Sequence, residues 1–289
     1  MMRRIVTALV LLLCTISATA RAADDNEKLT PEELVSRHLA SVGAAEARAA
    51  ARSRAATGAV AYRTITPGNS RLDGTAQLAS DGKKMRWAFS FNNDVYTGED
   101  VLFDGSKLMV AYLRTGSRSK LGDFIYARDV LMKEGLLGGT LSTGWPLLDV
   151  GSSKPKLRYA GLKKWEGQQV HELDYEPRKN TDVKIQLFFE PESYRHVGSQ
   201  YTVIIPASTS TAGVASVRGA GASGVGTRDR RYVLKETFGK FQNTGGVVLP
   251  AQWSIDLAAD GEFSFEYRWD LSFDKLANMP VDPNSFVGR

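Results

Sequence analysis

The sequence predicts a mainly β protein with a minor α component: one large, curved antiparallel sheet of about eleven strands with a few helices packed on its apolar face. Three observations predict it. From Gly58 onward, apolar residues recur at every second position in run after run, the mark of a sheet with one face covered and one face wet. Asp81-Gly82, Asp104-Gly105 and Asp260-Gly261 fall between such runs, and short turns of this type make an antiparallel meander. Only two stretches, 30–55 and 122–150, carry helical spacing, too little to cover so wide a sheet tightly, so some concave apolar surface is expected between sheet and helices.

The elements follow in order. Arg3 and Arg4 precede an apolar run from Ile5 to Ala18, and Ala20-Arg21-Ala22 offers small residues where a signal peptidase reads. Residues 1–22 are therefore expected to be a signal peptide cleaved before Ala23, with export to the periplasm. A retained anchor and a lipoprotein signal ending at Cys14 are the rival readings, the latter weakened by Leu13 where a small residue is wanted. Residues 23–289 are expected to form a single domain. Cys14 is the only cysteine, so the mature chain has no thiol chemistry. Removing Arg3, Arg4 and Arg21 reduces the net charge from +5 to +2, which gives no argument for a nucleic-acid partner.

Thr30-Pro31-Glu32-Glu33 opens a helix, with Thr30 as cap and Glu33 completing a capping box. Leu34, Val35, His38, Leu39 and Val42 share one face, and an Ala/Arg-rich helix is expected to run to about Ala55. Strands are expected near 58–66, 71–80, 83–91, 95–104, 107–114, 156–163, 168–176, 182–190, 195–205 and 229–241. The span 247–273 is a final hairpin whose two strands raise the count to twelve. Met85, Trp87, Phe89 and Phe91 share a face of the third strand. Phe263, Phe265, Tyr267, Trp269, Leu271 and Phe273 share a face of the last. The stretch 122–150 reads as one or two short apolar helices, separated by Gly138-Gly139 and stopped by Pro146. Pro206 to Thr227, rich in Gly, Ala, Ser and Thr, reads as a loop.

Polar chemistry is sparse. His38, His171 and His196 are the only histidines and show no metal-ligand spacing. His38 falls on the apolar helix face, and the other two fall on strands with no nucleophile spacing. Gly219-Ala220-Gly221-Ala222-Ser223-Gly224 matches G-x-G-x-x-G, but a strand rather than a helix is expected to follow it, and a dinucleotide site needs a helix N-terminus there to hold the pyrophosphate. Glu172, Asp174 and Glu176 lie two apart on one strand and share a face. Lys154, Lys156, Arg158, Lys163 and Lys164 form a basic cluster with two readings, a solvated face or a contact for anionic lipid headgroups and so a peripheral membrane contact. The aromatic stripes are the dominant feature. They either pack against the helices or hold an acyl chain. At about 0.8 kcal/mol per CH₂, a chain of about fifteen gains roughly 12 kcal/mol before costs, with no polar motif required.

Taken together, the signal peptide, the helix opening Leu29-Thr30-Pro31-Glu32-Glu33-Leu34 leading to Gly43, the meander interrupted near Gly135-Leu136-Leu137-Gly138-Gly139, and the C-terminal segments Gly245-Gly246-Val247-Val248-Leu249-Pro250 and Val281-Asp282-Pro283-Asn284-Ser285-Phe286 resemble the LolA-like family of periplasmic lipoprotein carriers and outer-membrane lipoprotein-sorting proteins. The resemblance covers nearly all of 29–289. It implies a half-barrel around helices, a hydrophobic cavity for lipid or lipoprotein acyl chains, no cofactor and no metal, and a non-enzymatic role. On that reading Trp87, Phe89, Phe91, Phe265, Tyr267 and Trp269 line the cavity. Leu136, Leu137, Leu141 and Trp145 form its lid. No residue of this sequence matches the carriers' cavity arginine, and the loop at 206–228 and the larger size depart from the simple carriers. An envelope protein–protein interaction or sensor module on the same fold is the alternative. A secreted hydrolase using His171 or the 172–176 carboxylates ranks last.

Overall fold

The computed structural model describes residues 29–207, 229–261 and 264–288. The expected signal peptide and its cleavage point, the glycine-rich 219–224 motif and Phe263 lie outside the described residues. The twelve strands are β1 (Ser53–Thr66), β2 (Arg71–Asp81), β3 (Lys84–Phe91), β4 (Gly98–Phe103), β5 (Leu108–Val110), β6 (Lys156–Trp165), β7 (Gln168–Glu176), β8 (Lys184–Phe189), β9 (His196–Ile205), β10 (Arg230–Thr244), β11 (Val247–Asp260) and β12 (Phe265–Ala277). They form a single sheet in the order β5-β4-β3-β2-β1-β12-β11-β10-β9-β8-β7-β6, every neighbouring pair antiparallel. The sheet is not closed: β5 and β6 are its two edges.

Two meanders therefore meet at one seam. β1 to β5 run outward in one direction, β6 to β12 run back inward, and β1 pairs with β12 from Ala55↔Ala277 to Thr66↔Glu266. The sheet curls strongly. β3 and β11 are four places apart, about 19 Å in a flat sheet at roughly 4.8 Å per strand. Yet the Trp87 and Trp253 rings lie 5.8 Å apart, edge to face. Strand twist compounded over twelve strands produces this half-barrel shape.

The concave face is covered by two short pieces of chain. Helix α1 (Pro31–Val42) starts at Thr30, whose Oγ1 accepts the Glu33 N–H at 3.1 Å. It buries Leu34, Val35, His38 and Val42, and Gly43 then bridges to Val247. A second, six-residue helix α2 (Ala45–Ala50) follows. The other piece is an inner segment, 119–153, built from α3 (Lys120–Ala127), α4 (Val130–Lys133), two 3₁₀ turns at Gly139–Leu141 and Pro146–Asp149, and α5 (Val150–Ser153).

Three expectations are corrected here. The second helix does not reach Ala55. The chain turns at Ala51, and Ser53 already begins β1, because Ala55 and Ala56 gain two strand partners each, and sheet pairing overrides the helical preference of alanine. Pro146 does not end a helix but opens a 3₁₀ turn, where its missing N–H is no loss. The strand expected at 107–114 ends at Val110, since the turn Arg114–Ser117 draws the chain off the sheet edge toward α3.

Two glycines separate turn chemistry from close approach. Gly82 closes the β2–β3 hairpin at φ +55° with open space around its Cα. Gly58 sits at a register shift against β12, where a Cβ would lie 2.0 Å from the Ser272 carbonyl oxygen. Gly82→Ala is expected to cost about 1 kcal/mol, the penalty of the left-handed backbone alone. Gly58→Ala is expected to cost more, about 2–4 kcal/mol, because the seam must open. Chemical denaturation of both variants checks the order.

Candidate functional site

All ten residues expected to form the cavity and its lid fall in one apolar cluster. Trp87, Phe89, Phe91 and Trp269 project from the concave face and are buried, as are Leu136, Leu137, Leu141 and Trp145 of the inner segment. Trp87 stacks on Phe89 at 4.9 Å, and both meet Trp253 edge-on. The deep part of the concave face is thus filled by the chain's own inner segment. Phe265 and Tyr267 differ from the others. They are half-buried, at the end of the sheet where β12 begins.

That end carries an aromatic rim. Rings are in contact from Phe124 of α3 through Tyr232, Phe265, Tyr267, Tyr62 and Tyr96 to Phe91, at centroid distances of 4.5 to 6.4 Å. Strand ends explain the gathering. Thr66 of β1 pairs with Glu266, Arg230 of β10 with Ile205, and Ser90 of β3 with Gly98, so these termini lie side by side. Tyr62, Tyr96, Tyr232, Phe265 and Tyr267 are each only partly covered, leaving an apolar shelf leading to the core.

The inner segment is held by a few polar groups that the sheet and α1 contribute. Glu236 of β10 is fully buried. Its Oε1 accepts the Gly138 N–H at 2.8 Å and the Trp253 indole N–H at 2.9 Å, and its Oε2 lies 2.8 Å from Tyr201 Oη. Tyr201 Oη is also 3.1 Å from the Leu136 carbonyl oxygen. A tyrosine has one O–H to give. With Glu236 protonated, its O–H donates to Tyr201 and Tyr201 donates to Leu136, so every hydrogen finds an acceptor. Burial without a cation pushes the Glu236 carboxyl up to about 7.

Glu99 of β4 does the same at the head of the segment. Its carboxyl accepts from Tyr96 Oη at 2.6 Å and Ser119 Oγ at 2.8 Å, and Ser119 caps α3 by accepting the Gly122 N–H at 2.7 Å. Burial raises it to about 7 as well. Arg54 of β1, also buried, donates to the Thr140 carbonyl and to Asn278 Oδ1 at 3.0 Å, and burial lowers its guanidinium to about 10.

His38 holds Trp145. The indole N–H donates to His38 Nε2 at 3.2 Å, so Nδ1 carries the proton and donates to the Tyr194 carbonyl at 3.1 Å. A second proton would set two donors face to face, and burial lowers His38 to about 4. His196 stacks on the other side of Trp145 at 4.5 Å, and its Nε2 lies 3.0 Å from Ser199 Oγ. His171 Nδ1 is 2.8 Å from Tyr159 Oη, and its ring stacks on Tyr194.

The remaining sequence candidates are placed as follows. Glu172 accepts from Gln186 at 2.6 Å, Asp174 pairs with Arg158, and Glu176 with Lys156 at 3.1 Å. The carboxylate row is a set of cross-strand pairs. The basic cluster is divided along β6: Lys154 and Lys156 lie at one end, Lys163 and Lys164 at the other, and two of its members are neutralised. Among the described residues no three His, Cys, Asp or Glu side chains are placed to hold a metal ion.

Sequence reading missed Glu236, Glu99 and Arg54. The first two left a signal: each replaces an apolar residue on the inward face of an alternating strand, between Leu234 and Phe238 in one case and before Val101 and Phe103 in the other. Arg54 was hidden by the overlong helix.

No protein-family model matches the chain, and no curated protein matches it significantly. Solved structures do. The chain is similar to a LolA superfamily protein of Nitrosomonas europaea (12% identity, 90% of this chain and 99% of that one, TM-score 0.44). It is also similar to an outer membrane lipoprotein-sorting protein domain of Vibrio parahaemolyticus (12%, 87% and 97%, 0.43) and to a DUF1329 family protein of Desulfovibrio piger (10%, 89% and 97%, 0.44). The first two bear names of the family that the sequence resembles. The likeness is one of chain course alone.

The pH dependence of this arrangement follows from the two directions. Glu236, raised above its unfolded value near 4.5, contributes stability fully present below that value and lost as pH rises through about 7. His38, lowered, contributes stability present above about 6.5 and lost as pH falls toward 4. Glu236→Gln keeps the neutral hydrogen-bond pattern and cannot ionise. It is expected to stabilise the protein by on the order of 2–3 kcal/mol at pH 8, with the gain vanishing near pH 5. Thermal denaturation at the two pH values checks it.

Proposed function

We propose that the protein is a binding protein of the bacterial periplasm that takes the acyl chains of lipid or lipoprotein between its concave sheet and its inner segment, and that it is not an enzyme. One observation carries the reading. The apolar concave face of a twelve-stranded sheet is covered by a broken segment of short helices and turns, whose buried apolar side chains fill that face and which is caught at a few points by polar contacts. Side chains such as Leu136, Leu141 and Trp145 occupy the place an acyl chain would take. Moving the segment exchanges one apolar filling for another, so the cost in exposed area is small. The half-buried aromatic rim offers the path by which a chain enters.

The buried acids and histidines fit this role better than catalysis. Glu236, Glu99 and His38 are committed to holding the segment. A second reading, an interface for an envelope protein, is favoured by the ten-residue strand β6, which lies at a sheet edge with β7 as its one strand partner among the described residues and so presents backbone groups to an added strand. Crosslinking and capture of a partner through β6 distinguishes it.

A reversible lock tests the first reading. Ser80 Oγ of β2 and Thr143 Oγ1 of the inner segment are 2.8 Å apart, and the described residues contain no cysteine. The double variant Ser80→Cys, Thr143→Cys is expected to take up phospholipid or lipopeptide when reduced and to lose uptake when oxidised, read by native mass spectrometry with solvent extraction. Equal uptake in both states would overturn displacement of the segment.

A further inference from the structure

We infer that the sheet end bearing the aromatic rim docks on an anionic lipid bilayer, so that lipid passes directly between the membrane surface and the site. The inference rests on the lipid-binding reading above and adds the surface and the partner. Eight large apolar side chains are exposed among the described residues, and five of them gather at this end. Val95, 70% exposed, stands on the β3–β4 connection. Ile65 and Ile204 lie at the last turns of β1 and β9, whose ends the strand registers place beside the rim. Tyr112 and Tyr126 complete the set.

Those two tyrosines form a distinct device. The Arg118 guanidinium lies over both rings, 4.1 Å from the Tyr112 centroid and 3.8 Å from that of Tyr126. It also donates to the Val110 carbonyl at 3.1 Å and to Tyr112 Oη at 2.9 Å. α3, which carries Tyr126, reaches the rim through Phe124 and Tyr232. An arginine held between two exposed tyrosines suits the bilayer interface, where amphipathic rings and cations sit at headgroup level.

Charge selects the bilayer. Arg178 and Lys179 lie on the β7–β8 connection, Lys184 begins β8 and Arg231 is the second residue of β10, all exposed and all at the same sheet end. None of the four belongs to an ion pair among the described residues. Of the carboxylates at that end, Asp73, Asp182 and Glu176 are paired with Arg71, Arg128 and Lys156, whereas Asp94, Asp229, Asp260 and Glu266 are in no ion pair among the described residues. Asp260 stands opposite Arg231, so the cationic patch is the β7–β8 connection with Lys184. Unpaired cations around apolar tips match anionic headgroups over acyl chains.

The test is co-sedimentation of the secreted protein with two kinds of vesicle, one containing phosphatidylglycerol and one of phosphatidylcholine alone, at low and high salt. Binding is expected to the first, to weaken in high salt, and to fall at least tenfold in the exposed-loop variants Val95→Asp and Arg178→Glu/Lys179→Glu. Equal binding of wild type and variants, or no binding to either vesicle, would overturn the proposal. So would capture of an envelope protein through a crosslinker at position 95 by a protein that ignores vesicles. Uptake of detergent-dispersed phospholipid by the same variants is expected to be unchanged. A protein that binds vesicles but never takes up lipid would refute the lipid-binding reading and the passage of lipid, and leave the docking surface standing.

Discussion

A sheet of twelve strands that curls without closing has to cover a concave apolar face, and this chain has little to cover it with. Everything else in the structure follows from that constraint. The strands supply Trp87, Phe89, Trp253 and Trp269 to one side of the core. What faces them is α1 and a segment that contains no helix longer than α3 (Lys120–Ala127). Such a segment gains little from backbone cooperativity. Its position depends on what it buries and on the polar atoms that catch it.

Those catches are arranged as a series along the segment rather than as a cluster. Glu99 holds its head through Ser119, Glu236 and Tyr201 hold the turn at Leu136–Gly138, Arg54 holds Thr140, and His38 holds Trp145. The points of attachment come from β1, β4, β9, β10 and α1. Two of these points depend on protonation state: the contacts described for Glu236 take a neutral acid, and those for His38 take a neutral imidazole. The two groups oppose each other as pH changes, so the segment is held best where both remain neutral, between the values set by His38 and by Glu236.

Much of the fold was legible in the sequence. The alternation in β3 and β12, the Asp-Gly turns and the Thr30 cap are local signals, and local signals placed the strands and α1 to within a few residues. The strand count resolved to twelve once the final hairpin was divided. The limits were equally physical. Ser53 to Ala56 sit where the alanine-rich composition reads as helix but are claimed by β2 and, from Ala55, by β12, and pairing across the whole chain leaves no local trace. The site was read in part. The apolar residues were found because they repeat. The rim was not recognised as separate from the filled core, because periodicity assigns Tyr267 and Trp269 to one face without distinguishing the end of a strand from its middle. Glu236 and Glu99 were passed over as ordinary charges in strands, although their inward position marks them.

The seam between β1 and β12 has a consequence for how the chain is made. Strands β2 to β5 and β6 to β11 pair with near neighbours in sequence, so each meander can form as its hairpins emerge. β1 waits for its second partner, because Ala55 meets Ala277 and Thr66 meets Glu266. Loop closure of that span is slow relative to hairpin formation. In a chain made from its N-terminus, the first half therefore completes its sheet only when β12 arrives. Until then Val60 and Leu271, which face each other across the seam, are an open edge. Synthesis order thus makes β12, which pairs with both β1 and β11, the strand whose arrival joins the two meanders into one sheet.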